Sequence, residues 1–191
     1  MTDLQEPIVQ RFSSTTLPTT HGDFEMTVYR GPNGEEHLAI YIGLPQAVNQ
    51  GEDQRLPLVR IHSACFTSEV LGSLKCDCRE QLNYALKAIT AEGCGLVIYL
   101  FQEGRGIGLG AKVQAYALQE RGLDTVDANT ELGFEEDART YEAAISILKD
   151  FGLNRLRLLT NNPDKIEALT ATGDFEVQRE SIEVGLNSIN H

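Results

Sequence analysis

No stretch of this 191-residue chain approaches the roughly 20 consecutive apolar residues that a bilayer-crossing helix needs. Residues Met1 to Gln10 also lack the basic-then-apolar pattern of an export signal. No membrane partner is therefore expected, and the expected location is the cytoplasm. Positive charge is scarce: 16 Lys and Arg stand against 28 Asp and Glu, a formal net charge of −12. Nucleic-acid binding is excluded on that ground, because it depends on dispersed Lys and Arg meeting phosphates. Repeats, low-complexity stretches and basic tails are absent. So are a P-loop, a dinucleotide fingerprint and an all-oxygen cage for a hard cation. Cysteine is limited to four residues, three of them clustered. That usage fits a reducing compartment and a metal better than a disulfide framework.

What is present suits one domain over residues 1–191, with an ordinary 41% hydrophobic and 23% charged content. The first part reads as β. Asp23 to Arg30 and His37 to Leu44 flank the turn signal Gly31-Pro32-Asn33-Gly34. Asn49 to Arg55 is polar and predicts a loop, and Leu58 to His62 predicts a short apolar strand. The second part alternates. Leu82, Ala85, Leu86 and Ile89 predict a helix from Arg79 to Glu92 that Gly93 stops. A buried strand from Leu96 to Leu100 and a helix from Leu109 to Arg121, closed by Gly122, follow. Next come a helix from Asp137 to Phe151, a strand from Leu156 to Leu159 and a helix from Pro163 to Thr172. A β-rich start followed by alternation predicts an α+β (mixed α/β) fold.

The chemistry concentrates in Cys65-x10-Cys76-Asp77-Cys78, just after Arg60-Ile61-His62-Ser63. A C-x-C pair is too short for an ordinary disulfide, and three thiolates can converge on one soft cation. Three protein ligands leave a position open for an activated water, as in catalytic zinc. A closed structural site, completed by His62 or a donor elsewhere, has the same spacing. Gln102-Glu103-Gly104-Arg105-Gly106-Ile107-Gly108 follows a strand and precedes a helix. Its amides can approach an anion with Arg105 adding a charged fork, or it is a tight turn with a surface arginine. Lys112 and Tyr116 share a helical face, Asp137-Ala138-Arg139 opens a helix, and Lys165 lies in the first turn after Thr160-Asn161-Asn162. Each is by itself an ordinary local feature. Cys94 reads as a small buried residue, and His21 and His37 carry no partner signal.

In order along the chain stand Arg60-Ile-His-Ser63, Cys65, Ser73-Leu-Lys-Cys76-Asp-Cys78, Gln81 and Gln102-Glu-Gly-Arg-Gly-Ile-Gly-Leu109. Lys112, Ala115-Tyr-Ala-Leu118, Asp124-Thr-Val-Asp-Ala-Asn129, Leu132-Gly-Phe134, Asp137, Arg139 and Leu159-Thr-Asn-Asn-Pro163 follow. From about Leu17 to Gly185 the chain resembles GTP cyclohydrolase II, the zinc enzyme that opens riboflavin biosynthesis. The resemblance implies hydrolysis of GTP at guanine C8, with release of formate and pyrophosphate to leave 2,5-diamino-6-ribosylamino-4(3H)-pyrimidinone 5′-phosphate. It implies one zinc on Cys65, Cys76 and Cys78, Mg2+ with the triphosphate, and a homodimer. Tyr116 would assist at C8, Arg139 would be the nucleophile toward phosphorus, and Asp137 would accept its proton. Arg60, Ile61, His62, Ser63, Ala64, Gln81, Glu103, Gly104, Arg105, Thr125, Thr160 and Lys165 match positions that contact GTP.

Three departures from the family pattern stand out. Ala64 replaces the usual Glu, Leu186 replaces an Arg after Val184-Gly185 in a chain ending at His191, and Arg79-Glu80 replaces a small residue. They leave room for a specialised copy, for an enzyme that stops at the formamido intermediate or takes another purine nucleotide, and for a zinc-stabilised nucleotide-binding protein without turnover.

Overall fold

The computed structural model describes residues 8–44, 56–120, 132–133 and 137–184. Its frame is a seven-stranded sheet. Strands β1 (Gln10–Thr19), β2 (Gly22–Arg30) and β3 (Glu36–Ile42) form an antiparallel meander. The turn between β2 and β3 closes through Gly31 N–H donating to the Glu35 carbonyl at 2.9 Å. β4 (Leu58–Ser63), β5 (Gly95–Leu100), β6 (Arg155–Leu159) and β7 (Glu176–Glu180) complete a sheet of order β1-β2-β3-β5-β4-β6-β7. β5 runs antiparallel to β3 and parallel to β4, and β6 and β7 continue the parallel half. Central strand β5 reads as a near-continuous apolar run because both faces of the parallel part are covered.

Among the described residues there are five α-helices, α1 (Phe66–Glu69), α2 (Cys78–Glu92), α3 (Leu109–Gln119), α4 (Glu142–Asp150) and α5 (Pro163–Thr170), of which α2 and α4 cover the central strands. Gly93 ends α2 in the left-handed region at φ 68°, its N–H returning to the Ile89 carbonyl, where a side chain would be strained. Asn162 caps α5 by accepting from Asp164 N–H, with Pro163 at the first helical position. The strand period splits the core in two. Val59, Ile61, Leu96 and Ile98 pack on one face with Ala144, Ile147 and Leu148 of α4. Leu58 and Val97 pack on the other with Ala85 and Ile89 of α2. Arg60 and His62 follow Leu58 at alternate positions, so β4 carries two polar side chains toward the α2 face. No helix among the described residues is long and apolar enough to cross a membrane.

The mixed α/β expectation holds, with differences of detail. The helix expected from Asp137 begins only at Glu142, and Asp137 to Thr140 is irregular. There Ala138 N–H donates to the Arg105 carbonyl at 3.0 Å and Arg139 N–H to the Asp137 side chain at 3.0 Å, so the segment bonds to a loop instead of coiling. Asp137 therefore has no helix dipole to stabilise it. The expected helix from Leu109 ends at Gln119, and that from Pro163 ends at Thr170. β1, β7 and α1 were not expected. β1 is Ser/Thr-rich and mostly exposed, so it has little of the apolar alternation that marks a strand. The loop expected over 49–55 lies outside the described residues.

Candidate metal and nucleotide site

Parallel strands β4, β5 and β6 deliver their carboxyl ends to one side of the sheet, the usual place for a ligand crevice in such folds. A cavity of about 900 Å³ opens there. Its walls come from the residues after β4 (Ser63, Ala64, Cys65), after β5 (Glu103, Gly104, Arg105) and after β6 (Thr160, Asn161, Asn162). Further walls come from Cys76, Cys78 and Gln81 around the start of α2, Lys112 and Tyr116 on α3, Arg139, and Lys165 on α5.

The three cysteines converge. Their sulfurs lie within 4.8 Å of one another, Cys65 and Cys76 are 3.4 Å apart, and none is in a disulfide. A tetrahedral ion with bonds of about 2.3 Å to sulfur places its ligands about 3.8 Å apart, so the trio fits a zinc-like cation. Among the described residues no fourth His, Cys, Asp or Glu joins the group. His62 Nε2 instead lies 3.0 Å from Glu69 Oε1, which removes the closed site completed by that nitrogen. Protons are shared unequally among the thiols. Hydrogen bonds from Cys76 and Cys78, with one from Lys112, hold Cys65 far below the usual thiol range, while Cys65 and Cys76 push Cys78 up. A trio that already carries negative charge on one sulfur suits a soft cation.

Glu103 organises the wall beside it. Its carboxylate accepts from Phe66 N–H at 2.6 Å, Gly104 N–H at 2.9 Å and Lys112 Nζ at 2.7 Å. Lys112 Nζ also donates to Cys65 Sγ at 3.0 Å. Burial works against the charge on Lys112, but its bonds to Glu103 and Cys65 outweigh burial and raise its pKa. Arg105 sits in the left-handed region at φ 57°, alone among the described non-glycine residues. Next to it, a Cβ on Gly106 would lie 2.7 Å from the Ala138 carbonyl oxygen, so this close approach requires glycine.

The same cavity is lined by the cations Arg60, Arg139 and Lys165, of which Arg60 and Lys165 are buried. Arg60 donates to the Leu159 carbonyl at 3.0 Å and to Gln81 Oε1 at 2.7 Å, and Gln81 in turn donates to Asp77 at 2.7 Å. Lys165 Nζ donates to the Ile61 carbonyl at 2.8 Å. Burial pushes Arg60 down to about 10 and Lys165 well below its ordinary value. Arg139 is gripped by Asp137, Nε to Oδ1 at 2.8 Å. The Asp137 carboxyl is raised by burial but lowered further by its bonds from Arg139, and that hydrogen bond raises Arg139. The pair is thus charged, with Arg139 at the cavity and Asp137 behind it. The charged guanidiniums of Arg60 and Arg139 reverse the field of an acidic chain at one place.

The sequence model described as GTP cyclohydrolase II matches residues 10–181. The chain belongs to that family. It is 45% identical over 183 residues to GTP cyclohydrolase-2 of Neisseria gonorrhoeae, covering 96% of this chain and 90% of the relative. It is 49% identical over 177 residues to GTP cyclohydrolase-2 of Campylobacter fetus, covering 91% and 85%. The riboflavin biosynthesis protein RibBA of Phocaeicola vulgatus is 45% identical over 187 residues, which is 97% of this chain but 45% of that longer protein. Among solved structures, the two-domain 3,4-dihydroxy-2-butanone 4-phosphate synthase RibBX of A. baumannii superposes with a TM-score of 0.51 at 21% identity. That match covers 94% of this chain and 41% of the other, and it shows the fold alone.

Of the residues that the GTP cyclohydrolase II resemblance selects, the fold gathers nearly all around one cavity. Ile61 is different: its side chain is in the core and only its carbonyl takes part, holding Lys165. Asp137 acts through Arg139, and Thr125 lies outside the described residues. Sequence reasoning missed Gln102, whose amide donates to Ser63 Oγ at 3.1 Å and accepts from Thr140 N–H at 3.2 Å, joining two walls. Its place beside Glu103 was an available signal. It also missed Glu69, for which no local pattern exists.

Proposed function

We propose that this GTP cyclohydrolase II family member hydrolyses GTP at guanine C8, releasing formate and pyrophosphate and supplying the ribosylaminopyrimidinone of riboflavin biosynthesis. The observation that carries the reading is a sulfur trio that no fourth donor joins among the described residues, lining one nucleotide-sized cavity together with Arg60, Arg139 and Lys165. Cys65, Cys76 and Cys78 would hold one Zn2+, which when bound supplies Lewis acidity and lowers the pKa of water. Tyr116, on the same face of α3 as Lys112, has its phenol pKa raised by burial and so remains a hydrogen-bond donor for charge developing at C8. Arg105, Arg139 and Lys165 receive the phosphates, with Mg2+ on the triphosphate.

Arg139 is held as a guanidinium by Asp137, which supports a role in neutralising phosphate charge. The nucleophilic role implied by the resemblance requires Asp137 to remove that proton first. The active form is proposed to be a homodimer. The test is incubation of zinc-loaded protein with GTP and Mg2+, measuring formate, pyrophosphate and product mass. One formate and one pyrophosphate per GTP are expected. Nucleotide binding without product would refute the reading, and a formylated product would show a reaction that stops early.

A further inference from the structure

We propose that Glu69 is a positioning residue that ties the metal ligand Cys65 to His62 of the nucleotide cavity by receiving three hydrogen bonds in one carboxylate. The inference rests on the metal-site reading above and adds a residue to it. Oε1 accepts from Cys65 N–H at 2.8 Å and lies 3.0 Å from His62 Nε2, while Oε2 accepts from the Tyr99 hydroxyl at 2.7 Å. Glu69 closes α1, its own N–H donating to the Cys65 carbonyl at 2.9 Å, so one helical turn wraps the ligand loop. The His62 ring is stacked on Tyr99 at 5.5 Å between centroids and 24° between planes, which fixes its orientation as well. The group is sealed: side-chain exposure is 2% for His62 and 11% for Glu69.

The chemistry of the acceptor decides the tautomer. A carboxylate offers no proton, so a neutral His62 must carry its hydrogen on Nε2. Nδ1 then holds a lone pair, and among the described residues it is buried without a hydrogen-bond partner. Glu69 therefore orients the amide of a metal ligand and the acceptor side of the cavity imidazole together. Outer partners of this kind govern how well ligands are held.

The test uses the zinc-loaded full chain labelled with [15N]histidine and read by long-range 1H–15N correlation. With four histidines in the chain, His62 is assigned by the signal lost in His62→Asn. The expected wild-type tautomer is Nε2–H. Glu69→Gln should keep it, with zinc affinity within about 3-fold by chelator competition. Its amide oxygen can receive Cys65 and His62 while the Tyr99 hydroxyl turns to accept from the NH2 group. Glu69→Leu should lose the single tautomer and weaken zinc by about 10-fold or more. An Nδ1–H tautomer in the wild type overturns the proposal, even if the Leu variant does not fold. So does a Leu variant that only melts earlier with tautomer and zinc affinity unchanged. If the wild type makes no formate, the proposed activity fails, whereas the tautomer still decides the role of Glu69.

Discussion

Arg105 offers a sharp separation of backbone strain from binding. Its φ of 57° places an L residue where Cβ crowds the following carbonyl, at a cost of roughly 1–2 kcal/mol. Arg105→Ala removes the guanidinium but keeps Cβ, and so keeps that cost. Arg105→Gly removes both, while the added freedom of the unfolded chain offsets about 0.4–1 kcal/mol. The glycine variant should therefore exceed the alanine variant by about 1 kcal/mol, or about 2–4 °C in Tm for a chain of this size. Urea unfolding of zinc-loaded, nucleotide-free protein checks this, with a changed midpoint at constant slope. Both variants should bind GTP more weakly by roughly 10- to 100-fold, the loss of a charge-assisted hydrogen bond of about 1.5–3 kcal/mol. An alanine variant as stable as the glycine one would refute the strain. A clear difference in their affinities would refute the division of roles.

Cys76→Ser should abolish stoichiometric zinc and all formate release, checked by elemental analysis beside the activity assay. Tyr116→Phe should retain zinc and slow formate release by roughly 100-fold, the scale of one lost transition-state donor; wild-type turnover would remove the tyrosine from the mechanism. Lys165→Met should weaken GTP binding and change how stability varies with pH. Since burial depresses Lys165 in the folded state, the unfolded chain binds the extra proton between that lowered value and the ordinary 10.5. Stability of the wild type relative to Lys165→Met should thus rise with pH through that window. A pH-independent difference in urea unfolding would contradict the assignment.

Legibility of the fold followed the range of the interactions. The turn at Gly31 to Gly34, the stop at Gly93 and the helix start at Pro163 are encoded within a few residues, and each is found where the sequence places it. The break before α4 was invisible because it depends on Ala138 meeting Arg105, 33 positions earlier (138 − 105), through backbone atoms that carry no sequence signature. β1 and β7 are edge strands whose pairing with neighbours, not their own apolar pattern, makes them strands.

For the site, the chain order of motifs selected the three thiols, the glycine loop and the cationic residues through the family resemblance that it carries. Only the tertiary structure inserted β5 between β3 and β4 and brought Lys112 to Cys65 across 47 positions. It alone turned the Glu103 carboxylate onto protein N–H groups and joined Glu69 to Tyr99. Periodicity, caps and ligand spacing are local properties of a polymer and can be read from its order. Which buried donor meets which acceptor is settled by packing, because a burial that satisfies every polar group is a condition on the whole fold.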